Sequence, residues 1–282
     1  MLSASHSALA RSSGRAYPLI AVRAGRACWL SYGAVVSPFM PDLEKLSAVR
    51  EALPATNAGI YLNTGSVGPL PRETARAMAE FSEHEMTLGR SSEADHLDAL
   101  ERMAEARAAL AAILTADVGT VALTHSATEA MNVAAWGLDW EPGDRAVTTT
   151  LEHVGGLGPL LTLRDRRGID LRLVDIGNGG DDDATLAAFD RAIDDRTRLV
   201  VLSHVCWTTG AVLPVRAIAD LAHARGALVL VDGAQAAGAI PVDVGALGAD
   251  AYAVSGHKWL LGPDGLGALW AAESTIDRLR PT

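Results

Sequence analysis

The chain has 282 residues, a formal net charge of −10 and 49 % apolar residues, enough length and hydrophobicity for a full α/β core. The acidic balance and the lack of a Lys/Arg stripe argue against a nucleic-acid surface, and no apolar run reaches the roughly 18 residues of a membrane span. Two cysteines, Cys28 and Cys206, give no disulfide framework and fit a reducing, cytoplasmic setting.

Residues 1–39 hold Arg11, Arg15, Arg23 and Arg26, several serines and no acid. Such a start reads either as an organelle transit peptide or, preferably, as an over-extended and poorly structured extension. Residues 40–70 are expected to form a first helix from Met40 (MPDLEKLSAVREAL) and a loop, and residues 71–282 a large domain. Pro71 suits the start of a helix over ETARAMAEFSEHEM, and Ala94–Leu114 is a second long helical stretch. Val121–Thr124 reads as a short strand, followed by a polar turn and the helical AMNVAAWGL. Further strands are expected at Arg145–Thr150 and Leu171–Val174, the latter followed by a Gly/Asp-rich turn at Gly177–Asp183. Leu199–Ser203 and Ala227–Val231 are continuous apolar runs of the kind covered on both faces. Between them a helix over Val215–Ala224, closed by Gly226, completes a right-handed parallel β-α-β unit. The alternation predicts an α/β fold with a mostly parallel sheet sandwiched by helices. Ligands of such sheets collect at the carboxyl ends of the strands.

The polar residues just past those ends carry the chemistry. Lys258 stands in VSGHKWLLGP (254–263), in a small polar turn after an apolar run, and is one of two lysines, with Lys45. An isolated loop lysine is ordinarily a solvated surface residue. Amid apolar neighbours, however, its pKa falls and the amine becomes able to attack a carbonyl. Asp232 and Gln235 end LVLVDGAQ (228–235). Alone, Asp232 reads equally well as a helix cap. At a buried strand end, though, a carboxylate is placed to keep a pyridine nitrogen protonated, and Gln235 to donate to a phenolate oxygen. In LTHSATEAMN (123–132) small and hydroxylated residues stand between strand and helix, where backbone N–H groups bind phosphate without lysine or arginine. Ser126 or Thr128 would add a hydroxyl, although simple capping accounts for the same pattern. His153, after another strand, is placed to stack on an aromatic ring. Ser203, His204 and Trp207 offer further lining from a strand end, with ordinary packing the alternative for Trp207. A dinucleotide loop at Gly262–Gly267 is rejected, because it does not open the first β-α turn and lacks the following acid.

Together THSATEA, LEH, SHVCWTTG, VDGAQAAG and SGHKWLLGPDGLGALW resemble the class V aminotransferase family, which includes cysteine desulfurases, selenocysteine lyases and isopenicillin-N-epimerase-like enzymes; the likeness runs from about Tyr61 to Trp270. The resemblance implies the large domain of a fold-type I enzyme that binds pyridoxal 5′-phosphate, works as a homodimer and acts on an amino acid. It implies that Lys258 forms the Schiff base with the cofactor and then removes the Cα proton. Asp232 would pair with the ring nitrogen, Gln235 with the phenolate, and His153 would stack on the ring. Ser126, Ala127, Thr128, Ser255 and His257 would hold the phosphate, with Asn63 in the loop YLNTGSVGPLP (61–71) contacting substrate. The reaction implied is transamination, epimerisation or C–S lysis. Trp207 departs from the Asn usual in desulfurases, which is closer to the epimerase-like branch. Family members continue beyond the lysine motif into a small C-terminal domain that supplies the carboxylate-binding arginine and, in desulfurases, the catalytic cysteine. That domain is expected to be largely missing here, and Cys206 does not take the cysteine's role. The alternative is a truncated or degenerate fragment that binds the cofactor or dimerises without turnover.

Overall fold

Short apolar runs bounded by polar turns become strands in the computed structural model, which describes residues 42–280. The expectations for residues 1–39 and for a helix beginning at Met40 lie outside the described residues. The described residues open with helices α1 (Leu43–Ala52), α2 (Ala55–Ala58), α3 (Arg72–Leu88) and α4 (Glu93–Leu114). Strand β1 (Val121–Thr124), α5 (Ala127–Trp136), β2 (Arg145–Thr149) and α6 (Val154–Arg167) follow. Next come β3 (Asp170–Val174), α7 (Asp182–Ala192), β4 (Thr197–Ser203), α8 (Val215–His223) and β5 (Leu228–Asp232). The last elements are α9 (Val244–Leu247), β6 (Ala251–Ser255), β7 (Gly267–Ala271) and α10 (Glu273–Ile276).

The strands form one seven-stranded sheet in the order β1-β7-β6-β5-β4-β2-β3. Five of the strands, β6, β5, β4, β2 and β3, pair in parallel, while β7 runs antiparallel to both β6 and β1. Being antiparallel to a common neighbour, β1 and β6 point the same way. The carboxyl ends of β1, β6, β5, β4 and β2 therefore share one edge of the sheet.

Alternation along the central strands builds two apolar layers. Val200, Leu202, Val229 and Val231 face a core with Leu114, Phe189 and Ile218 from α4, α7 and α8. Leu199, Val201, Leu228 and Leu230 face the other, with Met131, Leu160 and Leu163 from α5 and α6. Such burial contributes about 1.5–3 kcal/mol per large side chain. At the opposite edge, buried Arg145 pairs with Asp170 at 2.7 Å and with Asp194, tying together the amino ends of β2, β3 and β4. Among the described residues no helix is long and apolar enough to cross a membrane.

Besides the short helices α2, α9 and α10, three longer elements add to the sequence-based expectation. Helix α6 carries Gly155, Gly156, Gly158 and an internal Pro159, a composition that argues against a helix. Packing supplies the reason: a Cβ on Gly155 would lie 2.5 Å from Thr128 Oγ1, and one on Gly156 3.3 Å from Met131 Cε. The glycines let α6 cross α5 closely. Helix α7 is capped by Asp181, whose side chain accepts from Ala184 N at 2.9 Å. Strand β7 folds back antiparallel, so the lysine turn between β6 and β7 is a hairpin connection.

Candidate active site

The shared carboxyl edge of the sheet encloses a cavity of about 330 Å³, within the range of small-ligand sites. Ser126, Ala127, Thr128, His153, Asp232 and Gln235 line it, as do Ser255, His257 and Lys258. Nine residues singled out from separate segments thus meet in one space. Surface hollows of about 420 and 370 Å³ lie on α1 and beside Arg198 and Arg280, away from these strand ends.

Asp232 ends β5 and is 6 % exposed, with one carboxyl oxygen accepting from Ala234 N at 2.9 Å. Burial pushes its pKa up, against the lowering pull of that N–H, of Lys258 and of His153. Lys258 is half-buried in the turn after β6. Burial pushes its amine pKa down, and the charge of Asp232 works in the opposite direction. Acid and amine thus each favour the neutral form through desolvation and support the other's charged form.

On the β1 side, Ser126 is the N-cap of α5, its Oγ accepting from Glu129 N at 3.1 Å. The first-turn N–H groups of Ala127 and Thr128 have no carbonyl within the helix. They sit at its positive end on the cavity wall. Gly267 of β7 makes this approach feasible, since a Cβ there would meet the Ser126 backbone at 2.6 Å. Ser255 Oγ and His257 Nδ1 lie 3.2 Å apart on the adjoining wall.

His153 is the N-cap of α6, and its Nδ1 accepts from Gly155 N at 3.0 Å. An accepting Nδ1 leaves the ring proton on Nε2. Trp207 lines the same wall edge-on to His153, with ring centroids 5.5 Å apart. Gln235 donates from Nε2 to Gly65 O at 2.7 Å and accepts from Trp259 Nε1 at 2.8 Å, which leaves the second N–H of its amide for a ligand.

Asn63 is placed differently from the other candidates. It is exposed and does not line the cavity; its carbonyl accepts from Ser66 N and Val67 N at 2.9 and 3.1 Å. The loop instead brings Gly65 and Ser66 to the cavity, residues that sequence reasoning passed over although they lie in the same segment. Reasoning from sequence also missed Glu152, which is 7 % exposed and accepts three hydrogen bonds from Thr149 and Ser203 at the strand ends. Beside His153, an acid at a strand end carries no sequence signal of burial.

The cavity thus combines an amine whose pKa burial lowers, a buried acid, a helix N-terminus and an imidazole. That set suits an anionic, aromatic carbonyl compound. The family model for aminotransferase class-V matches residues 60–282. A probable cysteine desulfurase of Methanothermobacter thermautotrophicus is 38 % identical over 234 residues, covering 83 % of this chain and 58 % of the relative. The isopenicillin N epimerase of Streptomyces clavuligerus is 35 % identical over 229 residues, covering 79 % and 56 %. The chain therefore spans little more than half the length of these relatives. Among solved structures, a mutant of C-DES with glycine covalently linked to the PLP cofactor superposes with a TM-score of 0.79 at 32 % identity, covering 83 % of this chain and 62 % of that one. The complex of the cystine C–S lyase C-DES with its product cysteine persulfide gives 0.77 at 33 % identity, covering 82 % and 61 %. Sequence, fold and the site motifs agree: the chain belongs to the aminotransferase class-V family.

Proposed function

We propose that this chain forms the pyridoxal 5′-phosphate site of an enzyme that acts on an amino acid through Lys258. The observation that carries the reading is the convergence of Lys258, Asp232 and the N-terminus of α5 on one cavity. The donor set fits the cofactor. First-turn N–H groups of α5, with Ser126, Thr128, Ser255 and His257, offer a phosphate neutral donors and a favourable dipole. Asp232 offers a buried carboxylate on the cavity wall for a ring nitrogen, and the His153 imidazole lines the same space. When bound, the cofactor supplies an aldehyde and an electron-withdrawing ring that acidifies the Cα–H of an amino acid.

The chain's own groups divide the remaining work. Burial lowers the Lys258 pKa and so favours the free amine, the form able both to attack a carbonyl and to take the Cα proton. Asp232 holds negative charge where a positive ring nitrogen needs it, and Gln235 offers its spare N–H. Transamination, epimerisation and C–S lysis all start from that proton removal. Keto acid formed without loss of sulfur, loss of Cα stereochemistry, and release of a sulfide, thiol or persulfide distinguish them. Homodimeric assembly belongs to the same reading, supported by the exposed apolar side chains of Met78, Met86 and Leu88 on α3 and Leu97, Leu100 and Met103 on α4.

The test is cofactor uptake. Purified protein given pyridoxal 5′-phosphate is expected to turn yellow, to lose the band on borohydride treatment and to carry the label on Lys258. With Lys45 the sole other lysine, peptide mass analysis separates the two sites. Lys258→Ala is expected to abolish covalent attachment; a Lys258→Ala protein that still fixes the cofactor on reduction refutes the assignment.

A further inference from the structure

Glu152 follows β2 and immediately precedes His153, yet it is 7 % exposed. Its Oε1 accepts from Thr149 Oγ1 at 2.8 Å and from Ser203 N at 3.0 Å, and its Oε2 from Ser203 Oγ at 2.6 Å. Thr149 ends β2 and Ser203 ends β4, so one carboxyl joins the carboxyl ends of two neighbouring strands. Ser203 in turn lies opposite Asp232 in the β4–β5 pairing, and His204 N donates to the Asp232 carbonyl at 2.9 Å. Glu152 is therefore one peptide bond from His153 and one strand from Asp232. It does not line the cavity. Any effect it has there passes through other residues.

We propose that Glu152 is the positioning residue of this site: by clamping the ends of β2 and β4 it sets the orientation of the His153 ring and the place of Asp232 on the cavity wall. The clamp works with or without a proton on the carboxyl. Ionised, it accepts from both hydroxyls. Protonated on Oε2, it donates to Ser203 Oγ, whose hydroxyl reverses its role while Oε1 keeps its two donors. Burial lifts the Glu152 pKa to about 7, so both forms occur near neutrality. The titratable neighbours that face it are Asp232 and the thiol of Cys206. A glutamine reproduces the neutral form, with its oxygen in place of Oε1 and its N–H₂ donating to Ser203 Oγ. An alanine leaves Ser203 N, buried between strands, without an acceptor.

The consequence for the ligand rests on the cofactor reading above; the consequence for His153 does not, and the two are measured separately. In the cofactor-free chain of 282 residues, ¹⁵N spectra of the His153 imidazole report the tautomer. Wild type is expected to show an unprotonated Nδ1, Glu152→Ala a mixed population, and Glu152→Gln the wild-type pattern. In the same proteins, well below their melting temperatures, added pyridoxal 5′-phosphate is followed by visible circular dichroism and by its dissociation constant. Glu152→Ala is expected to lower the induced signal and weaken binding by about tenfold, the effect of one buried hydrogen-bond arrangement lost. Glu152→Gln is expected to recover both. A Glu152→Ala protein with the wild-type tautomer, signal and affinity overturns the proposal, however far its melting temperature falls. Should that variant not fold, Ser203→Ala, which removes one arm of the clamp, is expected to shift the same readouts part-way; unchanged values there overturn it equally. A tautomer that shifts in Glu152→Ala, with wild type taking up no cofactor, refutes the cofactor reading while supporting the clamp.

Discussion

The buried carboxyl of Glu152 makes the protein's stability depend on pH in a way that one substitution isolates. Its pKa rises from the ordinary 4.5 to about 7, because burial outweighs the hydrogen bonds from Ser203 and Thr149. Below about pH 4.5 the native and unfolded chains both hold the proton, and the group does not bias folding. Between that pH and about 7 the unfolded chain releases the proton while the native chain keeps it. The native state then binds more protons, so stability falls as pH rises. Above about 7 both are ionised and the loss is constant. At about 1.4 kcal/mol per pH unit, the interval amounts to about 3 kcal/mol, a large part of a typical domain's stability.

Glutamine cannot titrate, so Glu152→Gln removes this slope. The assay is urea unfolding of both proteins from about pH 4 to about pH 8, with linear extrapolation at each pH. Asp232, also buried and also raised, adds a slope of the same sign to both proteins. The difference between them therefore reports Glu152. The variant is expected to gain about 3 kcal/mol relative to wild type across the range, on top of a pH-independent offset from its altered hydrogen bonds. A difference that stays flat with pH would show that the carboxyl titrates at its ordinary value and that the burial argument is wrong.

Two further substitutions address the floor of the site. Gly233→Ala places a methyl group against the ring of Tyr252, 2.6 Å from its hydroxyl oxygen; the ring is fully buried and held by His204 Nδ1 at 2.9 Å. Overpacking of about 3 kcal/mol is expected, read as a lower urea midpoint, and an unchanged midpoint refutes it. Asp232→Asn keeps the shape that accepts from Ala234 N but removes the charge. Retention of pyridoxal 5′-phosphate, measured by equilibrium dialysis, is expected to weaken by roughly a hundredfold; unchanged retention removes Asp232 from the ring-nitrogen role. In the same variant, free of cofactor, Lys258 is expected to titrate lower still, because the charge that supports its ammonium form is gone.

Much of the site was legible because its signals are local. VDGAQ and SGHK each follow a buried-type apolar run, so sequence places their polar residues at strand ends, and parallel pairing brings those ends together. Ser126–Thr128 were readable as a helix start by the same logic. What escaped depends on tertiary contact. Helix α6 is hidden by Gly155, Gly156 and Pro159, whose poor helix propensity is overridden by the close crossing with α5. Strand β7 is an apolar run like the others, and nothing in GALWA states that it returns antiparallel between β6 and β1. Helix α7, by contrast, carries a legible signal in the Asp181 cap that went unused. The burial of Glu152 is set by Ser203, fifty-one positions away, and no window of sequence contains it.

The placement of Asn63 follows from how its loop is held. Tyr61 Oη donates to Val67 O at 2.5 Å and closes the loop on itself. Gly68 N donates to His257 O at 2.7 Å, fastening its far end to the lysine turn. Gly65 O accepts from Gln235 Nε2 at 2.7 Å, and Trp259 Nε1 holds the other end of that amide. Each anchor is a site residue or its neighbour, so the segment 61–68 and the turn around Lys258 form one hydrogen-bonded unit. In that arrangement Gly65 and Ser66 line the cavity, while the carbonyl of Asn63 is spent on the turn. From this loop it is Gly65 and Ser66, and not Asn63, that line the cavity. Changing Gln235, which looks like a cofactor contact alone, necessarily loosens the loop as well.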